Sequence, residues 1–165
     1  MKKRLLSRSQ PRRALAAVEL ALLMPLLLTF LLGVWEVGRL VQINQIIDNA
    51  AREGARKAST GVNTYADVKT TVSNYLTNAG ITNLNNLTVQ VYNVTQSNAG
   101  PTYDPSKAAC LDQLQINVAL PFNNVRWIGL LFLVTDPGTQ MNAQAIWLSN
   151  QDQSYPTTIV PPPAY

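Results

Sequence analysis

The longest apolar run in the chain extends from Ala14 to Trp35, and Glu19 is its only charged residue. As a helix, these 22 residues would be roughly 33 Å long, which is enough to cross the hydrocarbon core of a bilayer. A single segment in lipid can satisfy its own backbone hydrogen bonds only as a helix. The pattern therefore predicts a transmembrane helix over residues 15–35.

After this run, apolar residues recur at helical spacing, with no helix breaker before Gly54. The recurring positions are Val37, Leu40, Val41, Ile47, Ala51, Ala55 and Ala58. We therefore expect one helix from about Ala14 to Ser59, whose second half is amphipathic.

Small residues form one side of that second half, at Ala50, Ala51, Gly54, Ala55 and Ala58. A glycine inside a helix costs about 1 kcal/mol relative to alanine, so Gly54 indicates a neighbour that approaches closely. That neighbour is either the protein's own sheet or another subunit.

The rest of the pattern predicts a short helix followed by three strands. Tyr65–Ala79 has the apolar spacing of an amphipathic helix, with Gly80 at the position of its C-terminal cap. Three later runs alternate apolar and polar residues as strands do: Leu87–Thr95, Gln113–Leu120 and Thr139–Leu148. We expect an α+β fold over residues 36–150, with a three-stranded antiparallel sheet packed on the helices.

Two further segments are less regular. The eight residues of Trp127–Val134 are apolar but too few to span a membrane. They form either a buried part of the core or an exposed patch for a partner subunit or the membrane surface. The tail, residues 151–165, contains four prolines and is expected to be extended or disordered.

The positive charge of the chain is concentrated before the apolar run. Residues 1–13 hold six cations and no acid, so a formal charge of +4 for the whole chain leaves −2 for the remainder. Because Lys and Arg favour the cytoplasmic flank of a membrane helix, residues 1–14 are a predicted basic cytoplasmic leader. This leader can touch anionic lipid headgroups. The remainder has no basic surface for nucleic acid, and we expect no nucleic-acid partner.

A cleaved secretory signal is the alternative interpretation of the amino-terminal segment. The apolar core of such a signal is usually about 7–15 residues, with a small-x-small cleavage site after it. Here the run is longer and continues as Gly33-Val34-Trp35-Glu36-Val37, without an Ala-x-Ala sequence. The pattern favours an anchor that is retained, or one that is cut before the apolar run.

The residue types exclude several kinds of site. The chain has no His and one Cys, Cys110. A typical Ser-His-Asp or Cys-His catalytic site, a Cys/His metal site and an internal disulfide are therefore excluded. We expect a protein that is not an enzyme and that uses no cofactor or metal. Cys110 is expected in a loop outside the membrane, either as a free thiol or paired between chains.

Glu19 is the residue of the apolar run that most needs an explanation. A carboxylate within a membrane segment is costly, and by default it marks a functional site. The alternative is that Glu19 lies close enough to the cytoplasmic end to reach the lipid headgroups.

Four blocks occur in a distinctive order in the first third of the chain: Arg12-Arg13, Ala16–Leu28, Glu36–Arg39 and Asn49–Arg56. With these blocks, the sequence resembles the TadE-like family of minor pilins and pseudopilins from tight-adherence (type IVc) pilus systems. The resemblance implies a pilin-like α+β fold and a single-pass protein of the bacterial inner membrane. It also implies four partners: membrane lipid, a prepilin peptidase, other pilin or pseudopilin subunits, and the pilus assembly platform.

The resemblance also implies how the leader is processed. A prepilin peptidase cuts just before the apolar helix, so that the glutamate becomes the fifth residue of the mature protein. Carried over, the cut falls between Ala14 and Leu15, and Glu19 is that fifth residue. The family usually has Gly before the cut, where this chain has Ala14. The new ammonium of Leu15 could pair with Glu19 of a neighbouring subunit, which would compensate two charges in apolar surroundings.

Pro25 lies where the family places a proline. Proline removes one backbone hydrogen bond and bends or loosens a helix. Pro25 is therefore either a flexible point during extraction from the bilayer or a proline that a membrane helix tolerates.

These observations predict a membrane-anchored TadE-like minor pilin or pseudopilin that takes part in assembly of a tight-adherence pilus or a related secretion filament. The alternative is a permanently anchored extracytoplasmic binding protein. Its leader would not be removed, and its sheet and tail would bind a ligand or a wall polymer. A mature N-terminus at Leu15 separates the two.

Overall fold

The computed structural model describes residues 10–96, 100–125 and 139–151, without the side chains of residues 10–13. Three predicted features lie outside the described residues. They are the cationic side chains of the leader, the apolar segment Trp127–Val134, and nearly all of the tail.

The first helix, α1, is continuous from Gln10 to Ser59 and has 50 residues, including Pro25. The prediction of one long helix is confirmed, although the helix begins four residues earlier than expected. The chain divides into two compact units, of which one comprises Met1–Val41 with Arg126–Asp136 and the other Gln42–Val125 with Pro137–Tyr165. Helix α1 contributes residues to both.

The second half of α1 buries one face, beginning at Ile43. The buried positions are Ile43, Ile47, Ala50, Ala51, Gly54, Ala55 and Ala58. Val37 and Val41, which also recur at helical spacing, are each 50% exposed. Seven and three residues before Ile43, the same helical face passes through Glu36 and Leu40.

The second helix, α2, extends from Tyr65 to Asn78 and is capped at both ends. At its start, the Thr64 side chain accepts from the backbone N–H of Asp67, and the Asp67 carboxylate accepts from the backbone N–H of Thr64. At its end, Gly80 has φ 89°, and the backbone N–H of Ile81 donates to the carbonyl oxygen of Leu76 at 2.9 Å. This is a Schellman cap, and it requires the left-handed conformation that glycine adopts without strain.

Three strands form one antiparallel sheet in the order β1-β2-β3. The strands are β1 (Thr88–Asn93), β2 (Gln113–Pro121) and β3 (Gln140–Leu148). The predicted α+β fold, with its sheet and two helices, is therefore confirmed. Strand β1 ends two residues before the predicted Thr95, because the Asn93 side chain accepts the backbone N–H groups of Thr95 and Gln96. These bonds turn the chain out of the ladder.

One face of the sheet is buried and packs on the helices. Its residues alternate along the strands as the sequence predicted: Val89, Val91, Leu114, Ile116, Val118, Leu120, Met141, Ala143 and Ala145. The Tyr65 hydroxyl of α2 donates to the carbonyl oxygen of Val89 at 2.8 Å, and it ties the helix to β1. Trp147 follows the same alternation along β3, as two-residue spacing from Ala145 predicts, but it is 43% exposed at the end of the strand.

A buried carboxylate holds the long connection between β1 and β2. Oδ2 of Asp112 accepts from Nδ2 of Asn93 at 2.7 Å, from Nε2 of Gln96 at 3.0 Å and from the backbone N–H of Ala109 at 2.9 Å. Asp112 is 6% exposed, and hydrogen bonds of this kind are what make a buried carboxylate tolerable.

Candidate functional site

The apolar segment of α1 exposes almost all of its side chains. Leu15, Leu22 and Phe30 are 62%, 76% and 69% exposed, and none of the most apolar stretch is buried. Within the described part of the chain, α1 is the one helix long and apolar enough to cross a membrane. An apolar surface of this extent requires apolar surroundings, either lipid or the helices of other subunits.

Glu19 is exposed on this segment, one helical turn after Leu15. Residues four apart lie on the same side of a helix, with Cβ atoms about 5–6 Å apart. Ala14 and Leu15, the residues of the predicted cut, are also exposed. The Glu19 carboxylate has no hydrogen bond or ion pair with any described residue.

Pro25 lies within the helix without ending it. Because proline has no N–H group, the carbonyl of Ala21 lacks its usual partner four residues on. Oγ1 of Thr29 donates to the carbonyl oxygen of Pro25 at 2.8 Å. Thr29 was not predicted from the sequence, although a hydroxyl residue four positions after a proline is a recognisable signal. Such a bond back to the preceding turn bends a helix slightly.

Glu36 is the next acidic residue along α1 after Glu19. Unlike the exposed Glu19 side chain, the Glu36 side chain is buried. The side chain is 3% exposed, and neither carboxylate oxygen has a hydrogen-bond partner among the described residues. Glu36 follows Glu19 by 17 residues, which is about 25 Å along a helix axis. The sequence marked Glu36 only as part of a family block and did not predict its burial.

The small-residue face of α1 is fully buried within the second unit. Ala51, Ala55 and Ala58 have no exposed surface. A Cβ atom on Gly54 would lie 2.8 Å from Cγ2 of Val72 and 3.6 Å from Cγ2 of Ile116. The sequence left the protein's own sheet or another subunit as the neighbour of this face. The structure supplies the sheet, through β2, and also α2, which was not predicted and lies closest.

The described residues bring together few reactive groups. No cluster of three or more His, Cys, Asp or Glu side chains that could hold a metal ion occurs among them. Cys110 is a free and exposed thiol in the connection between β1 and β2. Next to it, Leu111 has φ 65° and is 59% exposed.

The comparison with known families matches the amino-terminal segment. Residues 15–56 match the model of the family described as TadE-like protein. This match confirms the TadE-like resemblance, and it begins at Leu15, the first residue after the predicted cut. No curated protein and no solved structure matches the chain.

Proposed function

We propose, from the TadE-like match over residues 15–56, that the chain is a minor pilin or pseudopilin that takes part in assembling a tight-adherence pilus or related secretion filament. The observation that carries the proposal is the combination of this match with a continuous 50-residue helix whose first half is exposed and apolar. A chain of this kind is anchored in the bacterial inner membrane before it joins other subunits.

Orientation follows from the charges that flank the apolar segment. The six cations of residues 1–13 hold the amino terminus in the cytoplasm. The unit that contains the sheet then lies outside the membrane. The chain after residue 13 has a formal net charge of −2, so the excess of cations lies before the apolar segment.

Processing prepares the amino terminus for assembly. A prepilin peptidase that cuts between Ala14 and Leu15 leaves an ammonium group on Leu15. In the next subunit, Glu19 is exposed and has no partner in its own described chain, so its carboxylate can accept this ammonium. The pair compensates two charges that would otherwise be costly among apolar helices.

Contacts between subunits are assigned to the exposed apolar segment and not to the small-residue face. Ala51, Gly54, Ala55 and Ala58 are occupied by the protein's own fold. By contrast, the side chains from Leu15 to Leu32 are exposed, with fractions from 40% to 76% among the large apolar ones. Helices of neighbouring subunits can replace lipid around this segment without disturbing the sheet.

The proposed role is structural and not enzymatic, and it uses no cofactor. The proposal is tested by locating the chain in cells that express the complete pilus system. A reporter fused after Tyr165 should be active only outside the inner membrane, and the protein should be recovered with sheared filaments or with other pilins in a detergent-stable complex. Reporter activity in the cytoplasm, or absence from every pilin complex, would overturn the proposal.

A further inference from the structure

The outer face of the sheet contains a shallow hollow of about 410 Å³. Residues of all three strands line it. Six of them are polar, and three are apolar: Thr88, Gln90, Asn117, Gln140, Asn142 and Gln144, with Val118, Ala119 and Ala143. The volume lies within the range of ligand sites, which is about 300–1,000 Å³. No lining residue is charged.

The hollow arises from the register of the sheet. Ala119 is directly opposite Thr88 on one side and Asn142 on the other, so a small side chain lies between two larger ones. In the neighbouring row, Asn117 lies between Gln90 and Gln144. Because neighbouring strands are about 4.8 Å apart, the three amides of this row extend over about 10 Å.

The amides of the hollow have free hydrogen-bonding capacity. Nε2 of Gln115 donates to Oδ1 of Asn117 at 3.0 Å, which orients the Asn117 side chain and leaves its Nδ2 group to donate outward. The side chains of Gln90, Asn142 and Gln144 have no hydrogen-bond partner among the described residues. Each of them offers both a donor and an acceptor.

We propose that this hollow binds a neutral, polyhydroxylated polymer, that is, an uncharged glycan. A sugar hydroxyl both donates and accepts, as an amide does, and a row of amides can therefore engage successive hydroxyls. Because the lining has no charged residue, it offers no counter-ion for an anionic polysaccharide or a lipid headgroup. A peptide partner would use a strand edge or an apolar side-chain pocket, and this hollow on the face of the sheet provides neither.

The proposal is tested by titrating the purified full chain, in detergent micelles, with soluble neutral probes. The probes are a linear glucose oligomer and a linear N-acetylglucosamine oligomer, compared with the anionic polymer alginate and with an uncharged unstructured peptide. Binding is followed by calorimetry or by saturation transfer to the sugar protons. We expect binding of at least one neutral oligomer and none of alginate or the peptide.

Variants locate the binding site within the sheet. Asn117→Ala and Gln144→Ala should each weaken binding about two- to tenfold, as the loss of one neutral hydrogen bond implies. Ala119→Phe should fill the hollow and weaken binding without removing an amide. Gln113→Ala is the matched control, because Gln113 lies on β2 outside the hollow and is exposed. Circular dichroism confirms that each variant is folded.

Two results would overturn the proposal. One is the absence of binding to both neutral oligomers, or binding that the hollow variants and Gln113→Ala change equally. The other is preferential binding of alginate or of the peptide, which would assign the face to an anionic polymer or to a protein. The measurement uses the purified chain alone, so its outcome does not depend on leader cleavage or filament assembly.

Discussion

The backbone of Gly54 lies so close to Val72 that a Cβ atom at position 54 would be 2.8 Å from Cγ2 of the valine. This is the point where α1 and α2 meet, and Ile116 of β2 lies nearby. Valine is stiff about χ1, so its methyl group cannot easily turn away. The glycine is therefore required by the packing of the protein's own two helices.

We expect Gly54→Ala to destabilise the fold, because overpacking of a core typically costs about 1–3 kcal/mol. The gain in helix propensity, about 1 kcal/mol, opposes this effect and leaves a net loss of up to about 2 kcal/mol. Denaturant unfolding, monitored by tryptophan fluorescence in detergent, measures the difference.

Two further variants isolate the cause. Gly38→Ala is the matched control, because a Cβ atom at position 38 meets nothing within 4 Å, and it should be neutral or stabilising. Val72→Ala combined with Gly54→Ala should cost less than the sum of the two single changes, since it removes the contacted methyl groups. Equal effects of Gly54→Ala and Gly38→Ala would contradict the packing argument.

A second prediction concerns Asp112, whose carboxylate accepts three hydrogen bonds in the β1–β2 connection. Asp112→Ala leaves those donors without their acceptor and should cost about 1.5–3 kcal/mol. Hydrogen exchange at the Ala109 amide should accelerate more than exchange at the centre of β2. The exposed Asp48 provides the control, and Asp48→Ala should change neither quantity. Unchanged protection at Ala109 in the Asp112 variant would show that the network does not hold the loop.

A third prediction concerns pH. The hydrogen bonds from the backbone and side chain of Thr64 hold the pKa of Asp67 below its ordinary 3.8. A carboxyl group whose pKa is lowered on folding contributes stability above its unfolded pKa, and this contribution is lost as the pH falls through the folded pKa. The stability difference between the wild type and Asp67→Asn should therefore be constant near neutral pH and shrink below about pH 4. A difference that grows on acidification would contradict the capping geometry.

The sequence predicted those elements that short-range periodicity determines. The alternation of Leu114, Ile116, Val118 and Leu120 located β2, and the 3-4 spacing of Val68, Val72 and Leu76 located α2. The capping box was also readable in principle, because Thr64 precedes an acidic residue by three positions. The sequence-based prediction of α2 rested on its apolar spacing and on Gly80 at its end.

The remaining features depend on contacts between residues that are distant in sequence. Asn93 and Asp112 are 19 residues apart, and only the folded loop brings them together. Similarly, Gly54 signalled a close neighbour, but the identity of Val72 required the angle at which α2 crosses α1. Along α1, the buried face that contains Ile43 and Ile47 includes Glu36 and not Val37. Because Glu36 is acidic, the hydrophobic pattern did not predict its burial.

A fourth prediction tests the pairing of Glu19 with a neighbour's amino terminus. Glu19→Gln should leave insertion and cleavage intact but prevent co-assembly, because losing one partner of a buried ion pair costs about 3–5 kcal/mol. Such a loss corresponds to hundreds-fold weaker association or more. The assay compares recovery with sheared filaments against the level in the membrane.

Glu53→Gln is the matched control for this assay. Glu53 lies on the same helix and pairs with its own chain's Arg56 at 2.6 Å, so its loss should not change recovery. Recovery of Glu19→Gln at the wild-type level would show that Glu19 does not form the pair and acts at most in processing or at the membrane interface.

The central claim, that this chain is a processed pilin subunit, is tested most directly by the intact mass and amino-terminal sequence of the membrane-extracted protein. With an active prepilin peptidase, the account predicts loss of residues 1–14 and a mature N-terminus at Leu15, with a larger cleaved fraction for Ala14→Gly and none for Ala14→Leu. The full-length mass, in cells whose peptidase processes a companion pilin, would contradict the account and favour a permanently anchored binding protein.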